Sequence, residues 1–256
     1  MINKIKNIII KKNLDGYIVP KNDKFFTEYS KISNLELVSN FSGSAGFAII
    51  LKNKNYLFVD GRYTIQAKKQ SGKKFKIFEI PLIWPRNIFK SSKNKLNIGF
   101  DPKLFTYNSL NHYFYNTCNL TPVNENVFYK KDKKKLKNNK FYKLDKVITG
   151  ESSKSKIRRV VKILVKKKID YFFISAGENV CWLMNIRGKD LPNSPIANCN
   201  LILTKNREIY FFSKLNKASE IKKKFINRKI FFYEEDRIFE VLNSIKPGSF
   251  CIDEKT

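Results

Sequence analysis

The chain has 256 residues, 42% hydrophobic and 14% aromatic, which is enough for one large domain or two ordinary ones and excludes a disordered or fibrous protein. No window approaches the roughly 18 uncharged apolar residues of a membrane span, and residues 1–13 lack the apolar run and small-residue site of a signal peptide. The formal net charge of +29 raises a nucleic-acid partner, but lysine supplies most of it and travels with Asn and Ile through every segment, so compositional bias ranks above a binding face. In chain order, Ile2, Ile5 and Ile9 predict a helix over 2–12, and Asn13-Leu14-Asp15-Gly16 stops it. Tyr17–Val19 reads as a buried strand ended by Pro20. Ala48–Leu51 and Tyr56–Val59 flank Lys52-Asn53-Lys54-Asn55 as a β-hairpin. Thr64–Gln70 starts a helix, Phe75–Ile80 and Leu96–Phe100 are strands, and Ser109–Tyr115 is helical. The chain turns basic and loses periodicity from Phe128 to Asp145, with its densest lysine run at Lys130–Lys140, which places a linker there.

A second unit follows. Ile157, Val160, Val161, Leu164 and Val165 form the apolar stripe of an amphipathic helix, with Ser152 or Ser153 as its cap. Tyr171–Ile174 is the short apolar strand of a mixed or parallel sheet, and Ser249–Asp253 reads as a strand in progress. The halves repeat. Leu14–Val19 corresponds to Ile169–Ile174, Asn40–Gly43 to Asn185–Gly188, and the hairpin Ile49–Phe58 to Leu201–Phe211. Each copy runs helix, strand, polar segment, strand, hairpin, which predicts an α/β fold of mixed sheets flanked by helices. The expected domains are 1–140 and 147–256, the second stopping short at its C-terminal end.

Few residues offer chemistry. Cys118, Cys181, Cys199 and Cys251 form no C-x-x-C pair, so neither a zinc site nor a disulfide framework is expected, and reduced thiols suit a cytoplasmic protein. Gly43-Ser44-Ala45-Gly46 lacks the Lys-Ser/Thr of a phosphate loop and reads as a tight turn. Ser42 and Ser44 have no base other than His112, the single histidine, itself read as a helix-face residue. Asp60 and Arg62 read as a charged pair ordering a strand end. Trp182 reads as core with Tyr171, Phe172 and Phe173.

The motifs fit a known pattern when taken in order. Val19-Pro20, Glu28-Tyr29, Val38–Gly46, Val59-Asp60-Gly61-Arg62-Tyr63 and Gln66-Ala67 resemble the first domain of Xaa-Pro aminopeptidases (the aminopeptidase P family). Trp182-Leu183-Met184-Asn185-Ile186-Arg187-Gly188-Lys189-Asp190-Leu191-Pro192, with Pro195 after it and Gly150-Glu151-Ser152-Ser153 before the helix, resembles the second. The resemblance covers nearly the whole chain. It implies two tandem homologous creatinase/prolidase N-terminal domains of ribonuclease-H-like fold. It also implies a C-terminal pita-bread catalytic domain, holding two divalent metals, usually manganese, on Asp, His and Glu ligands. There a metal-bound hydroxide would attack the peptide bond before a proline in second position. A homodimer acting on such peptides in the cytoplasm is the implied whole. Only His112 could supply an imidazole in this chain, so no catalytic residue, metal or cofactor is expected within it, and the parent protein would be the metalloaminopeptidase. Arg187, Asp60 and Arg62 are the residues expected to shape substrate access or an interface; a loop arginine on the surface is the plainer reading of Arg187. The alternatives are a freestanding, non-enzymatic creatinase-like binding module, as in histone-chaperone relatives, and, behind it, a basic nucleic-acid-binding protein.

Overall fold

The computed structural model describes residues 1–24, 26, 33–90, 94–125, 139–191, 193–225 and 229–253. The Glu28-Tyr29 motif, Pro192 and most of the Lys130–Lys140 run lie outside the described residues. The chain divides into two compact units between residues 132 and 133.

In the first unit α1 (Ile2–Lys11) leads into β1 (Gly16–Pro20), then α2 (Asn34–Ser39), β2 (Gly46–Leu51), β3 (Asn55–Asp60), α3 (Thr64–Ser71) and β4 (Lys76–Ile80). α4 (Pro85–Phe89), β5 (Leu96–Phe100), α5 (Tyr107–Phe114) and β6 (Cys118–Pro122) complete it. The sheet order is β4-β3-β2-β1-β5-β6. The β1–β2 and β2–β3 pairs are antiparallel and the rest parallel. Ile5, Ile8 and Ile9 of α1, Leu35 and Val38 of α2 and Ala67 of α3 pack on one face against Tyr17, Val19 and Ile50. Phe89 of α4 with Leu110 and Phe114 of α5 cover Ile18, Phe47, Phe58 and Ile98 on the other. The result is a helix–sheet–helix sandwich.

The second unit has β7 (Tyr142–Lys143), α6 (Lys146–Thr149), α7 (Ser153–Lys166), β8 (Tyr171–Ile174), α8 (Gly177–Met184) and β9 (Ile186–Arg187). It continues through β10 (Asn200–Thr204), β11 (Ile209–Phe212), α9 (Leu215–Lys224), β12 (Ile230–Tyr233), α10 (Ile238–Ser244) and β13 (Phe250–Cys251). Its main sheet runs β12-β11-β10-β8-β13. This is the first sheet's order without a counterpart of β6, so the duplication inferred from the sequence is a duplication of fold.

The copies share small devices as well as topology. Asn13 and Lys168, at corresponding positions after the first helix, both have positive φ, as do Asn40 and Asn185. The last two cap α2 and α8 in the left-handed region, where asparagine is tolerated. Both capped helices sit inside what the sequence presents as a polar segment. Asp15 accepts from the backbone N–H of Asn97 at 2.9 Å and from Lys52 at 3.3 Å. Asp170 repeats this, accepting from Ser249 N–H at 2.9 Å and pairing with Lys205 at 2.6 Å. Each aspartate thus ties the start of the central strand to its parallel neighbour and to the hairpin loop. Pro20 is the last residue of β1, paired opposite Phe47.

Lys205, the Ser249 backbone and the Ser249 hydroxyl hold the Asp170 carboxyl down at about 2. An unfolded aspartate titrates near 3.9. Its contribution is therefore full above about pH 4 and is lost as pH falls toward 2. The stability gap between the parent chain and Asp170→Asn should narrow steadily from pH 5 to pH 3 in urea titrations. A gap that stays constant or widens over that range would show that the carboxylate is not what stabilises the strand start.

Candidate functional site

The motif segments of the first unit lock onto one another. Ser39 Oγ donates to Leu35 O at 2.7 Å, and Ser71 Oγ reaches Ser39 O at 2.7 Å. Ser42 N–H donates to Gln70 Oε1 at 3.0 Å, while Gln66 and Gln70 each donate to Ser42 Oγ at 3.0 Å. Ser44 shares a 2.9 Å hydrogen bond with the Tyr63 hydroxyl, and Phe41 meets the Tyr63 ring edge-on at 5.8 Å. Gly46 has φ +147°, and a Cβ there would stand 2.5 Å from Phe58 O, so the turn into β2 needs glycine. Both serines are engaged by amides or a phenol, and neither has a base among these partners. The geometry is that of a braced loop.

Asp60 and Arg62 form one ion pair. Asp60 Oδ1 accepts from Arg62 N–H at 3.0 Å and from Arg62 Nε at 2.8 Å. The guanidinium hydrogen bond, first, and the backbone N–H hold the Asp60 carboxyl below the usual range. Both side chains are exposed, and the arginine lies 5.4 Å from the Tyr63 ring centroid.

In the second unit the Trp182–Asp190 stretch organises a denser network. Asn185, in its left-handed cap, donates from Nδ2 to Thr149 Oγ1 at 3.0 Å and to Glu151 O at 2.8 Å. Its Oδ1 accepts from buried Lys156 at 2.8 Å, and Lys156 also donates to Trp182 O at 3.0 Å. Desolvation lowers the Lys156 pKa. The ammonium lies 4.5 Å from the Trp182 ring centroid, and Arg159, paired with Glu151 at 2.6 Å, lies 5.8 Å from it. Trp182 itself is 47% exposed. It is not core: two cations lie over its ring while nearly half of the side chain meets solvent.

Arg187 pairs within β9 against Tyr142 of β7. Its Nη1 donates to Ile186 O at 2.8 Å and Cys181 O at 3.3 Å, so two carbonyls fix the direction of the half-buried guanidinium. Gly188 lets Ala197 approach, since a Cβ there would stand 2.7 Å from Ala197 Cα. Asp190 accepts from Asn198 N–H at 2.8 Å and forms a buried ion pair with Lys217. Cys181 and Cys199 bracket Ala197: the Ala197 N–H reaches Cys181 Sγ at 3.3 Å and Cys199 Sγ reaches Ala197 O at 3.4 Å. Burial pushes the Cys199 thiol up. All four cysteines are free.

Lys156, Lys217 and the Cys181–Cys199 pair escape sequence reasoning. Lys156 sits at the border of the α7 stripe and reads as one more solvated lysine. Asp190 lies in the motif, but its partner is 27 residues away with no periodic signal.

His112 is on α5, with its ring 4.5 Å from Trp84 edge-on and its backbone carbonyl accepting from Arg86. Among the described residues no three His, Cys, Asp or Glu side chains gather where a metal ion could bind. These residues do not fit a two-metal centre, and no step of hydrolysis is assigned to them. A groove of about 410 Å³ along α9, lined by Leu215, Ala218, Ser219, Lys222 and Lys223, offers no acid–base pair. No helix among the described residues is long and apolar enough to cross a membrane.

Residues 1–149 match a family model described as Creatinase/Prolidase N-terminal domain, and residues 132–256 match a second model of the same description. Among curated proteins the chain is similar to a probable Xaa-Pro aminopeptidase P of Coprinopsis cinerea, 25% identical, covering 94% of this chain and 41% of that protein. It is also similar to Xaa-Pro aminopeptidase 1 of Dictyostelium discoideum, 28% identical, covering 96% of this chain and 43% of that one. The fold matches the crystal structure of X-prolyl aminopeptidase from Caenorhabditis elegans, a cytosolic enzyme with a di-nuclear active site. The TM-score is 0.84 at 22% identity, over 95% of this chain and 43% of that one. The chain thus spans about two-fifths of the length of these relatives.

Proposed function

The chain belongs to the creatinase/prolidase N-terminal domain family, and on that footing we propose that it forms the paired N-terminal domains of a cytoplasmic, homodimeric Xaa-Pro aminopeptidase. The doubled fold supports this most strongly, because nearly the whole of this chain, one copy after the other, is similar to about two-fifths of the length of such relatives. The domains run 1–140 and 147–256. Their work is steric and organisational. They shape the approach of peptides with proline in second position and help assemble the dimer. Bond cleavage, with two divalent metals such as manganese, falls to a C-terminal catalytic domain in the same polypeptide.

Arg187 is the residue we assign to this role. Its guanidinium is fixed by two backbone carbonyls, is half-buried, and keeps donors free for a carboxylate or carbonyl. Asp60 and Arg62 present an ordered charged edge in the first unit.

The test uses the longest polypeptide encoded at the gene's locus. It should release the first residue of Xaa-Pro peptides with manganese. Arg187→Ala should raise KM about tenfold with little change in kcat, the signature of lost binding common to ground and transition states. An encoded polypeptide that carries these 256 residues and never cleaves Xaa-Pro peptides would end the peptidase reading. A fall in kcat at unchanged KM would end the access role of Arg187.

A further inference from the structure

Two thiols of the second unit meet around one residue. Cys181 lies on the buried side of α8 and Cys199 stands just before β10, 2% and 0% exposed. Ala197 N–H donates to Cys181 Sγ at 3.3 Å, and Cys199 Sγ donates to Ala197 O at 3.4 Å. The segment between them is pinned on both sides. A Cβ on Gly177 would stand 2.7 Å from Ala197 O, and one on Gly188 2.7 Å from Ala197 Cα, so backbone lies against backbone there. Asn200 Nδ2 donates to Ser175 O at 2.6 Å, which fixes the same segment to the start of α8. The thiols also act on each other. The hydrogen bond from Cys199, first, then the Ala197 N–H and the charge of Arg187 lower the Cys181 pKa against the effect of burial. Burial, first, and the Cys181 sulfur raise that of Cys199. One sulfur is thus prepared as a nucleophile while the other keeps its proton. Cys118 belongs to the first unit and Cys251 to β13, two strands from β10, so neither competes for this partner.

We propose that Cys181 and Cys199 are an oxidation site, joined by hydrogen peroxide into a reversible disulfide. The Cys181 thiolate attacks one peroxide oxygen. The O–O bond breaks, hydroxide leaves and takes up the thiol proton as water, and Cys181 becomes a sulfenic acid. The Cys199 sulfur then attacks the Cys181 sulfur. The S–O bond breaks, the S–S bond forms, and the Cys199 proton leaves with the hydroxyl as a second water. In sum two thiols and one peroxide give one disulfide and two waters, and two electrons pass from sulfur to peroxide. Peroxide is the oxidant that fits, because it is little larger than water, whereas a bulky organic disulfide is too large for sulfurs this buried. The neighbouring thiol intercepts the sulfenic acid before a second peroxide carries it to the sulfinic acid. The bond joins α8 to the start of β10 and closes a covalent loop around β9, Gly188 and Asp190. The site is defined by the two sulfurs alone, whatever the protein hydrolyses.

The purified 256-residue protein, fully reduced, is treated with hydrogen peroxide. The peroxide is destroyed with catalase, remaining thiols are alkylated as the protein is denatured, and peptides are mapped by mass spectrometry without reductant. A Cys181–Cys199 linked peptide is expected, formed about tenfold faster than any linkage to Cys118 or Cys251 and reversed by dithiothreitol. In urea, where the fold no longer holds the sulfurs together, its formation should slow about tenfold. The oxidised second unit should melt roughly 5 °C or more above the reduced one, because the bond closes a loop that the unfolded chain otherwise leaves open. Cys199→Ala should abolish both the linkage and the melting shift, and leave Cys181 as a sulfenic acid that dimedone labels. If that variant does not fold, the peptide map and the urea comparison on the unsubstituted chain decide alone. The proposal is overturned if both thiols remain alkylatable after peroxide, or if Cys181 reaches the sulfinic acid with Cys199 still reduced. It is equally overturned if either thiol links only to Cys118 or Cys251, or if the Cys181–Cys199 linkage forms as fast in urea.

Discussion

Asp190→Ala should remove about 3–5 kcal/mol from the second unit, since it strips one partner from a buried ion pair. The Asp190 and Lys217 side chains are only 3% and 13% exposed. The carboxylate also accepts from Asn198 N–H at 2.8 Å, so its loss orphans a backbone donor as well as an ammonium. The pair ties the loop after β9 to the first turn of α9, joining the Trp182–Asp190 motif to an element far along the chain. Lys217→Met alone should also destabilise. The double variant Asp190→Ala with Lys217→Met should cost clearly less than the sum, because neither charge is then buried without its partner. Chemical denaturation of the three variants measures this. A single-variant loss below about 1 kcal/mol, the range of exposed pairs, would mean that the pair is solvated in solution.

The second unit should unfold before the first. Its sheet ends in the two-residue strand β13, and Phe231, Phe239, Phe250 and Ile252 are all exposed on it or beside it. In the first unit the matching face is buried under α4 and α5. Apolar surface left in water forgoes about 25 cal/mol per Å², so an uncovered area of a few hundred Å² corresponds to several kcal/mol, a large share of a domain's stability. Limited proteolysis should leave a resistant fragment ending near the basic Lys130–Lys140 run. The same exposed face should make the chain self-associate once that unit loosens. If residues 150–253 survive longer than residues 1–125, the coverage argument is wrong.

Much of this architecture is legible in the residues. The Ile stripe of α1 and the Ile157–Leu164 stripe of α7 fix two helices that pack on the same side of equivalent strands. The hairpins announce themselves by apolar runs around lysine and asparagine turns. The repeat is visible because Asp15 and Asp170, and Asn40 and Asn185, do the same job at matched positions. What escapes has physical reasons. α2 is six residues long and α4 is five, too short to show a period, and each is held by its caps and by burial. β6 carries Asn119 and Thr121 between its apolar residues and is a strand because β5 offers it an edge. Trp182 reads as core by composition, yet Lys156 and Arg159 hold it at the surface. Of the expected site residues, Asp60 and Arg62 are legible as a local pair from their spacing. What fixes Arg187 is the carbonyl of Cys181, which no spacing rule foretells.

On the proposed function, these two domains would organise an Xaa-Pro aminopeptidase without carrying its chemistry. The most direct measurement compares the purified 256-residue chain with the longest polypeptide encoded at its locus. Both are assayed on an Xaa-Pro peptide with manganese or zinc added. The single histidine is packed against Trp84, and no three ligands gather among the described residues. The chain alone should therefore release no N-terminal residue, while the longer polypeptide should do so in a chelator-sensitive way. Metal-dependent release by the chain alone, free of contaminating peptidase, would contradict the account.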